Sequence, residues 1–371
     1  MTELAYRLAL VHDALVYRGG AERVVATLIK YWPNVPLFTS AYLPNSTFDI
    51  FRQSQIHTSF VQKFARDPQT VMRRVFPLMV PGFCMFDFSE YDVVLSSAAY
   101  AAKAIRIPSS TCHLCYCYSP LRLAWRPSDY FGSHTDPLKR VVVLAFAAIL
   151  RKWDYQVAQQ VNFFATTCRN VAERIKVAYQ RESEVIHAPI DFNQYWFQPK
   201  PNDYYLVVSR LNTYKRVDLA IQAMNQIGQP LLIVGEGPQR VKFERLAQSN
   251  IFFLGNVSDE KLLELYAGCK ALIFPQEEDY GLVPLEAQAS GRPVIAFSAG
   301  GALETIVDGQ TGIFFREQTP DALINAIDQA EKMHFDPIYI RQHAAQFDEK
   351  VFCENITSFI KRKWYEFSED I

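Results

Sequence analysis

The chain has no surplus of charge. Its 371 residues carry 38 Lys and Arg against 39 Asp and Glu, which excludes a protein that grips nucleic acid through net charge alone. It also lacks a disulfide framework: the seven cysteines are odd in number and fall at no paired spacing, as in a reducing cytoplasm. The longest apolar run, Val141–Leu150, is bracketed by Lys139-Arg140 and Arg151-Lys152. A membrane-spanning helix needs about 20 apolar residues, so this run implies a protein that is soluble or lies on a membrane. The N-terminal stretch reaches acidic Glu3 at once and has no long apolar core, unlike a secretory signal. There is no Asp-x-Asp, no P-loop, no Gly-x-Ser-x-Gly elbow, no low-complexity tract and no fixed-period repeat.

What is present is the balance of a folded protein, 49% hydrophobic and 21% charged, with length for two or three domains. The halves differ in sign. Residues 1–190 carry 21 Lys and Arg against 14 Asp and Glu, a net +7, and the remainder is net −8. One surface is therefore suited to an anionic partner and the other is not. Short apolar strands alternate with helical patterns almost throughout: strands at 8–11, 93–96, 114–118, 163–166 and 185–187, then 205–209, 231–234, 252–254, 271–274, 294–296 and 312–314. Helices are expected at 21–31, 218–226, 258–268 and 284–291. This rhythm predicts an α/β chain of two doubly wound parallel-sheet domains, meeting near residue 195.

Three loops between these strands and helices carry candidate chemistry. Gln276–Glu286 follows one strand and opens a helix, where open α/β sheets bind ligands. Glu278 and Glu286 supply two carboxylates there, and the amides of Gly281, Leu282 and Val283 point toward an anion. Ser209–Arg216 leaves another strand carrying Arg210 and Lys215, a pair suited to a diphosphate. Tyr17–Arg23 places Gly19 and Gly20 at the start of the first helix. The plain alternatives are a capped acidic loop, a solubilising basic loop and an ordinary strand–helix turn. Gly235-Glu236-Gly237 has Arg240 where a dinucleotide fingerprint needs its third glycine, so it reads as a turn lining a nucleotide pocket. Cys112, His113, Cys115 and Cys117 suggest zinc by composition, but their alternation along a strand makes them core residues.

Taken together, Arg210, Lys215, Glu278, Glu286 and Ala289–Ala296 resemble the signature of glycosyltransferase family 4, most of all its O-antigen and exopolysaccharide mannosyltransferases. His187–Asp191 is similar to the family's interdomain hinge, Phe253–Leu262 (with Gly255, Asn256 and Val257) to its base-binding segment, and Gly300-Gly301-x-x-Glu304 to the loop that follows. The resemblance implies the GT-B fold, two Rossmann-like domains facing across a cleft. Residues 1–195 would bind acceptor, 196–350 the nucleotide sugar, and 351–371 would form a helix crossing back to the first domain. Arg210 and Lys215 would neutralise the diphosphate, Glu278 would hold the sugar and Glu286 the ribose. Gly20, Gly235, Gly255, Asn256, Val257, Gly281, Leu282 and Val283 would line the donor.

The implied reaction is retaining transfer of a hexose, mannose from GDP-mannose, to a lipid-linked or oligosaccharide acceptor in cell-surface polysaccharide biosynthesis. It needs no metal or other cofactor and no nucleic acid, and takes place at the cytoplasmic face of the cell membrane. The chain departs from the family at Cys117-Tyr118-Ser119-Pro120, where Tyr118 replaces a histidine that reaches toward the donor sugar. Two other readings share the signature: a sugar-nucleotide 2-epimerase, and a nucleotide-sugar-binding pseudoenzyme suggested by Tyr118. Finally, the Phe60–Phe86 stretch interleaves Lys63, Arg66, Arg73 and Arg74 with apolar residues, and is expected to form an amphipathic helix on an anionic membrane, the plain alternative being a core helix with solvated cations.

Overall fold

The computed structural model describes residues 5–130 and 136–369, so the first residues of the N-terminal stretch lie outside it. The chain divides into two compact units, Met1–Pro189 with Phe352–Ile371, and Ile190–Val351.

Among the described residues, the first unit is built on seven strands: β1 (Leu8–His12), β2 (Leu37–Thr39), β3 (Ile56–Thr58), β4 (Val93–Ala98), β5 (Cys112–Cys117), β6 (Phe163–Thr166) and β7 (Ser183–Val185). All pairs are parallel, in the order β3-β2-β1-β4-β5-β6-β7. β1, β4 and β5 are buried along their whole length, which is why they read as apolar runs rather than as alternation. The order reverses between β1 and β4, and the loops leaving their carboxyl ends flank that switch point. The Glu349–Glu369 helix closes the unit: Phe352, Ile356, Phe359 and Ile360 are buried, Trp364 packs on Tyr6 at 5.1 Å, and Arg362 pairs with Glu184 at 2.7 Å.

The second unit has six strands among the described residues: β8 (Tyr205–Val208), β9 (Leu231–Val234), β10 (Ile251–Gly255), β11 (Leu272–Phe274), β12 (Val294–Phe297) and β13 (Gly312–Phe315). They are parallel in the order β10-β9-β8-β11-β12-β13, with the switch between β8 and β11. Ile221, Met224, Ile233, Phe243, Ile273 and Leu323 are among the side chains of its core. Chain entry and exit lie side by side, since Ile190 bridges Asp348 and Phe192 N–H donates to the Asp348 carboxylate at 3.1 Å.

Four expectations change. β2 and β3 carry no periodicity signal because each has three residues. β7 ends at Val185, so His187 lies beyond the sheet. β5 ends at Cys117, so Tyr118 stands in the loop that follows. The Phe60–Phe86 stretch is not an amphipathic helix. It is broken into 3-10 turns at Phe60–Phe64 and Phe76–Leu78, a π turn at Thr70–Arg74 and a single α turn at Met79–Phe83. Pro68, Pro77 and Pro81 withhold the amide hydrogens a continuous helix needs, and Val61, Val71, Val75, Met79 and Phe83 turn inward.

Candidate active site

In the second unit the loops after β8 and β11 meet across the switch point. A 3-10 turn, Thr213–Lys215, presents Lys215, and its ammonium forms an ion pair with the Glu278 carboxylate. Both side chains are largely buried, 12% and 16% exposed, so the pair is shielded from solvent. Arg210 stands exposed on the same loop. Immediately beyond Glu278, Gly281 caps the Leu282–Ala289 helix without any side-chain hydrogen bond, and Pro284 occupies the first turn. The amides of Leu282 and Val283 therefore begin a helix whose positive end no side chain of the cap neutralises.

Backbone packing holds these loops in place. Gly300 has φ +63°, and a Cβ there would collide with the Glu278 carbonyl; Gly301 N–H donates to that same carbonyl at 3.0 Å. The glycine turn after β12 thus sets the position of Glu278. On the other side, Gly235 (φ +123°) brings its turn against the Ser209 carbonyl, and Leu211 N–H donates to Glu236 O at 2.9 Å. Gly235 acts here as a buttress for the Arg210 loop. Gln318, a residue no motif marked, joins both loops: its amide accepts from Arg216 at 2.9 Å and donates to Pro275 O at 2.9 Å.

Glu286 lies one turn into its helix, nearly fully buried, and accepts a 2.5 Å hydrogen bond from the Tyr266 hydroxyl. Tyr266 was also unmarked, because a buried tyrosine in a helical pattern looks like core. Gly255, Asn256 and Val257 stand at the end of β10, two strands from β8, with Asn256 exposed and Gly255 O accepting from Gly235 N at 2.8 Å. The structure therefore gathers Arg210, Lys215, Glu278, Gly281, Leu282 and Val283 around the switch point. Gly235, Gly255, Asn256 and Val257 extend along one edge.

In the first unit, Gly20 opens the Gly20–Tyr31 helix. Tyr118 is committed to the same place: its hydroxyl donates to Ala21 O at 3.1 Å and lies 2.7 Å from Ser97 Oγ, which is 3.1 Å from His12 Nδ1. A hydroxyl has one proton, so Ser97 donates to Tyr118 and His12 Nδ1–H donates to Ser97. Burial pushes the Tyr118 phenol well above its ordinary range and pulls the His12 imidazole down. Both stay neutral, and Tyr118 anchors the helix start rather than presenting a free hydroxyl. Asp13 accepts from the amides of Ala99, Tyr100 and Ala102 at 2.7, 2.9 and 2.6 Å, fixing the loop after β4. In β5, His113 Nε2 is 2.8 Å from Ser96 Oγ, and Cys112, Cys115 and Cys117 are buried as strand residues.

Two motif-bearing loops are thus joined by an ion pair at a strand crossover, beside an uncapped helix start. Residues 191–349 match the family model of glycosyl transferases group 1. The matched residues coincide with the second unit. The chain is 26% identical over 224 residues to D-rhamnosyltransferase WbpZ of Pseudomonas aeruginosa, covering 54% of this chain and 59% of that protein. It is 27% identical over 143 residues to O-antigen chain mannosyltransferase C of Escherichia coli, covering 36% and 38%. The matches thus span less than two thirds of these relatives. Among solved structures, Anabaena Alr3699/HepE, crystallised with UDP and glucose, aligns over 96% of this chain and 99% of its own with TM-score 0.69 at 17% identity. The two parallel-sheet, Rossmann-like units are those of GT-B glycosyltransferases.

Proposed function

We propose that the chain is a retaining glycosyltransferase that moves a hexose, mannose from GDP-mannose, onto a lipid-linked or oligosaccharide acceptor in cell-surface polysaccharide assembly. The observation that carries this reading is the Lys215–Glu278 pair at the β8–β11 crossover, beside the uncapped helix start at Gly281. A nucleoside diphosphate entering there would draw the Lys215 ammonium to its phosphates, with Arg210 alongside. Glu278 would then be released to accept a hydrogen bond from a sugar hydroxyl. As the glycosidic bond breaks, negative charge builds on the diphosphate, and two fixed cations plus the Leu282 and Val283 amides stabilise it. Glu286, aimed by Tyr266, would take the ribose hydroxyls, and Gly235, Gly255, Asn256 and Val257 would border the base. In the first unit, Tyr118 holds the helix start at Gly20. The mannosyl and D-rhamnosyl relatives favour a hexose donor, and HepE, crystallised with UDP and glucose, favours a nucleoside diphosphate sugar. Work at the cytoplasmic membrane face follows from a lipid-linked acceptor.

Thermal shift with GDP, UDP and ADP tests the donor, since a ligand of the folded form raises its melting temperature. GDP should shift it most. Turnover of GDP-mannose with and without membrane lipid extract then separates transfer from epimerisation, and no stabilisation by any of the three nucleotides overturns the reading. Two cations already serve the diphosphate, so turnover should persist in excess EDTA. Abolition by chelator with rescue by Mg²⁺ or Mn²⁺ would refute the metal-free mechanism.

A further inference from the structure

The Pro137–Ala158 helix is exposed along an apolar face. Ala147 and Asp154 are buried and Val143 and Leu150 half-buried, a three- and four-residue spacing that turns one stripe of the helix into the first unit. The opposite stripe is apolar as well: Leu138 is 73% exposed, Ile149 68%, Val141 63% and Val142 60%, with Phe146 and Leu144 also open to solvent. Exposed apolar area on this scale is uncommon on a soluble protein and marks an interaction surface.

We propose that this face docks on an anionic lipid bilayer. Its charges indicate the occupant. Between Pro137 and Trp153 there are four cations, Lys139, Arg140, Arg151 and Lys152, and no acidic residue. They stand at the two ends of the apolar run, and the Arg140 and Lys152 side chains are exposed. Arg151 is turned to the Ala124 carbonyl, which leaves Arg140 and Lys152 exposed at the two ends, and a second copy packed on this face, in either direction, would set these two against their own kind. A bilayer surface instead offers hydrocarbon to the stripe and anionic headgroups to its ends. The helix is too short in apolar length to cross, and no described helix meets that requirement.

The helix is also packed against the broken turns of the same unit. Trp153 packs on Tyr100 at 5.8 Å, and Tyr100 stacks on Phe76 at 3.7 Å. Phe76 belongs to the broken turns that carry exposed Met72, Arg73, Arg74 and Leu78. Those turns, whose cations were expected on a membrane helix of their own, are thus tied to the helix through the buried Tyr100 ring. The proposal does not depend on the glycosyl-transfer reading, because it is tested without donor or acceptor.

The full-length protein is floated with vesicles of phosphatidylcholine alone, and with vesicles of equal parts phosphatidylcholine and phosphatidylglycerol. Binding is expected to the anionic vesicles, to weaken with salt, and to drop about tenfold or more in the triple variant Leu138→Gln, Val142→Gln, Ile149→Gln. These side chains are solvent-facing, so the variant should melt like the wild type; the double variant Arg140→Gln, Lys152→Gln should lose the salt-sensitive part of the binding. Failure of the wild type to float, or flotation of a folded triple variant at the wild-type level, overturns the proposal. A wild-type dimer that the triple variant dissolves, without vesicle binding, would assign the face to self-association and overturn it equally.

Discussion

The carboxyl ends of the two sheets are built differently. In the second unit, the loops after β8 and β11 carry charged side chains, and glycine turns from neighbouring strands hold them in place. In the first unit, the corresponding region is a neutral relay, His12 to Ser97 to Tyr118 to Ala21 O, with the Asp13 carboxylate tied to backbone amides. The one fully buried ion pair among the described residues is also in the first unit: Lys103 Nζ lies 2.8 Å from Asp154, which also accepts from Tyr179 and Trp125, each at 2.8 Å. At these sheet ends the second unit gathers charged side chains, whereas the first presents neutral groups and keeps the Lys103–Asp154 pair wholly inside.

That contrast breaks most severely at Lys103. Burial, the largest influence, opposes its charge, but the charge and hydrogen bond of Asp154, together with Cys117 and Cys115, raise the ammonium above its ordinary range. Lys103→Met leaves the carboxylate buried without its cation, and urea unfolding should show a loss of about 3–5 kcal/mol. Folding stability within 1 kcal/mol of wild type, on the order of a surface change, would show that the pair is not a structural support.

Next is Lys215→Ala, which should lower turnover by about 10²–10³ while costing less stability than Lys103→Met, since Glu278 keeps some contact with solvent and Asp154 has none. Glu278→Ala should behave alike. Unfolding rather than inactivation in either variant would erase the distinction between the units.

Tyr118→Phe sharpens the comparison. It removes the donor to Ala21 O and an acceptor for Ser97, so a stability loss of about 1–2 kcal/mol is expected. Because the phenol holds the Gly20 helix start rather than reacting, turnover of the folded variant should stay near wild type. A dominant loss in kcat with unchanged stability would make Tyr118 a reacting group.

The smallest effect is a pH slope. Burial pulls His113 down to about 3, and His12 is depressed in the same direction. An unfolded histidine takes up its proton near pH 6.5, so the stability from a neutral buried one is complete above that value. It is lost as pH falls from there toward the folded value, by about 1.4 kcal/mol per pH unit for each histidine. Urea midpoints measured from about pH 7 down to pH 5 should fall less steeply in His113→Gln. An unchanged slope would mean that His113 is not the neutral group described.

Legibility followed the range of the interaction. Arg210, Lys215 and Glu278 sit in loops whose strand–glycine–helix context spans a dozen or so residues, so their neighbourhood could be read along the chain. Gln318 and Tyr266 could not, because the groups they orient, Pro275 O and Glu286, come from other elements. The Phe60–Phe86 stretch misled for a related reason: cation spacing suggested one helix, while its prolines and five inward apolar side chains demanded several short turns.

By itself, the sequence determined the two parallel sheets, since fully buried strands must be continuous apolar runs and the helices between them must carry one apolar stripe. It determined the glycine turns too, because only a residue without a Cβ allows one backbone to rest on another. Only the tertiary structure decided which groups face one another. Tyr118 and the carbonyl it holds are 97 residues apart, and Lys103 becomes a support only because folding buries Asp154 beside it. The same is true of the Pro137–Ala158 helix, apolar on both faces: packing consumed one stripe and left the other in solvent. Propensity and turn chemistry act between neighbours along the chain, whereas desolvation and hydrogen bonding act between whatever groups the fold brings into contact.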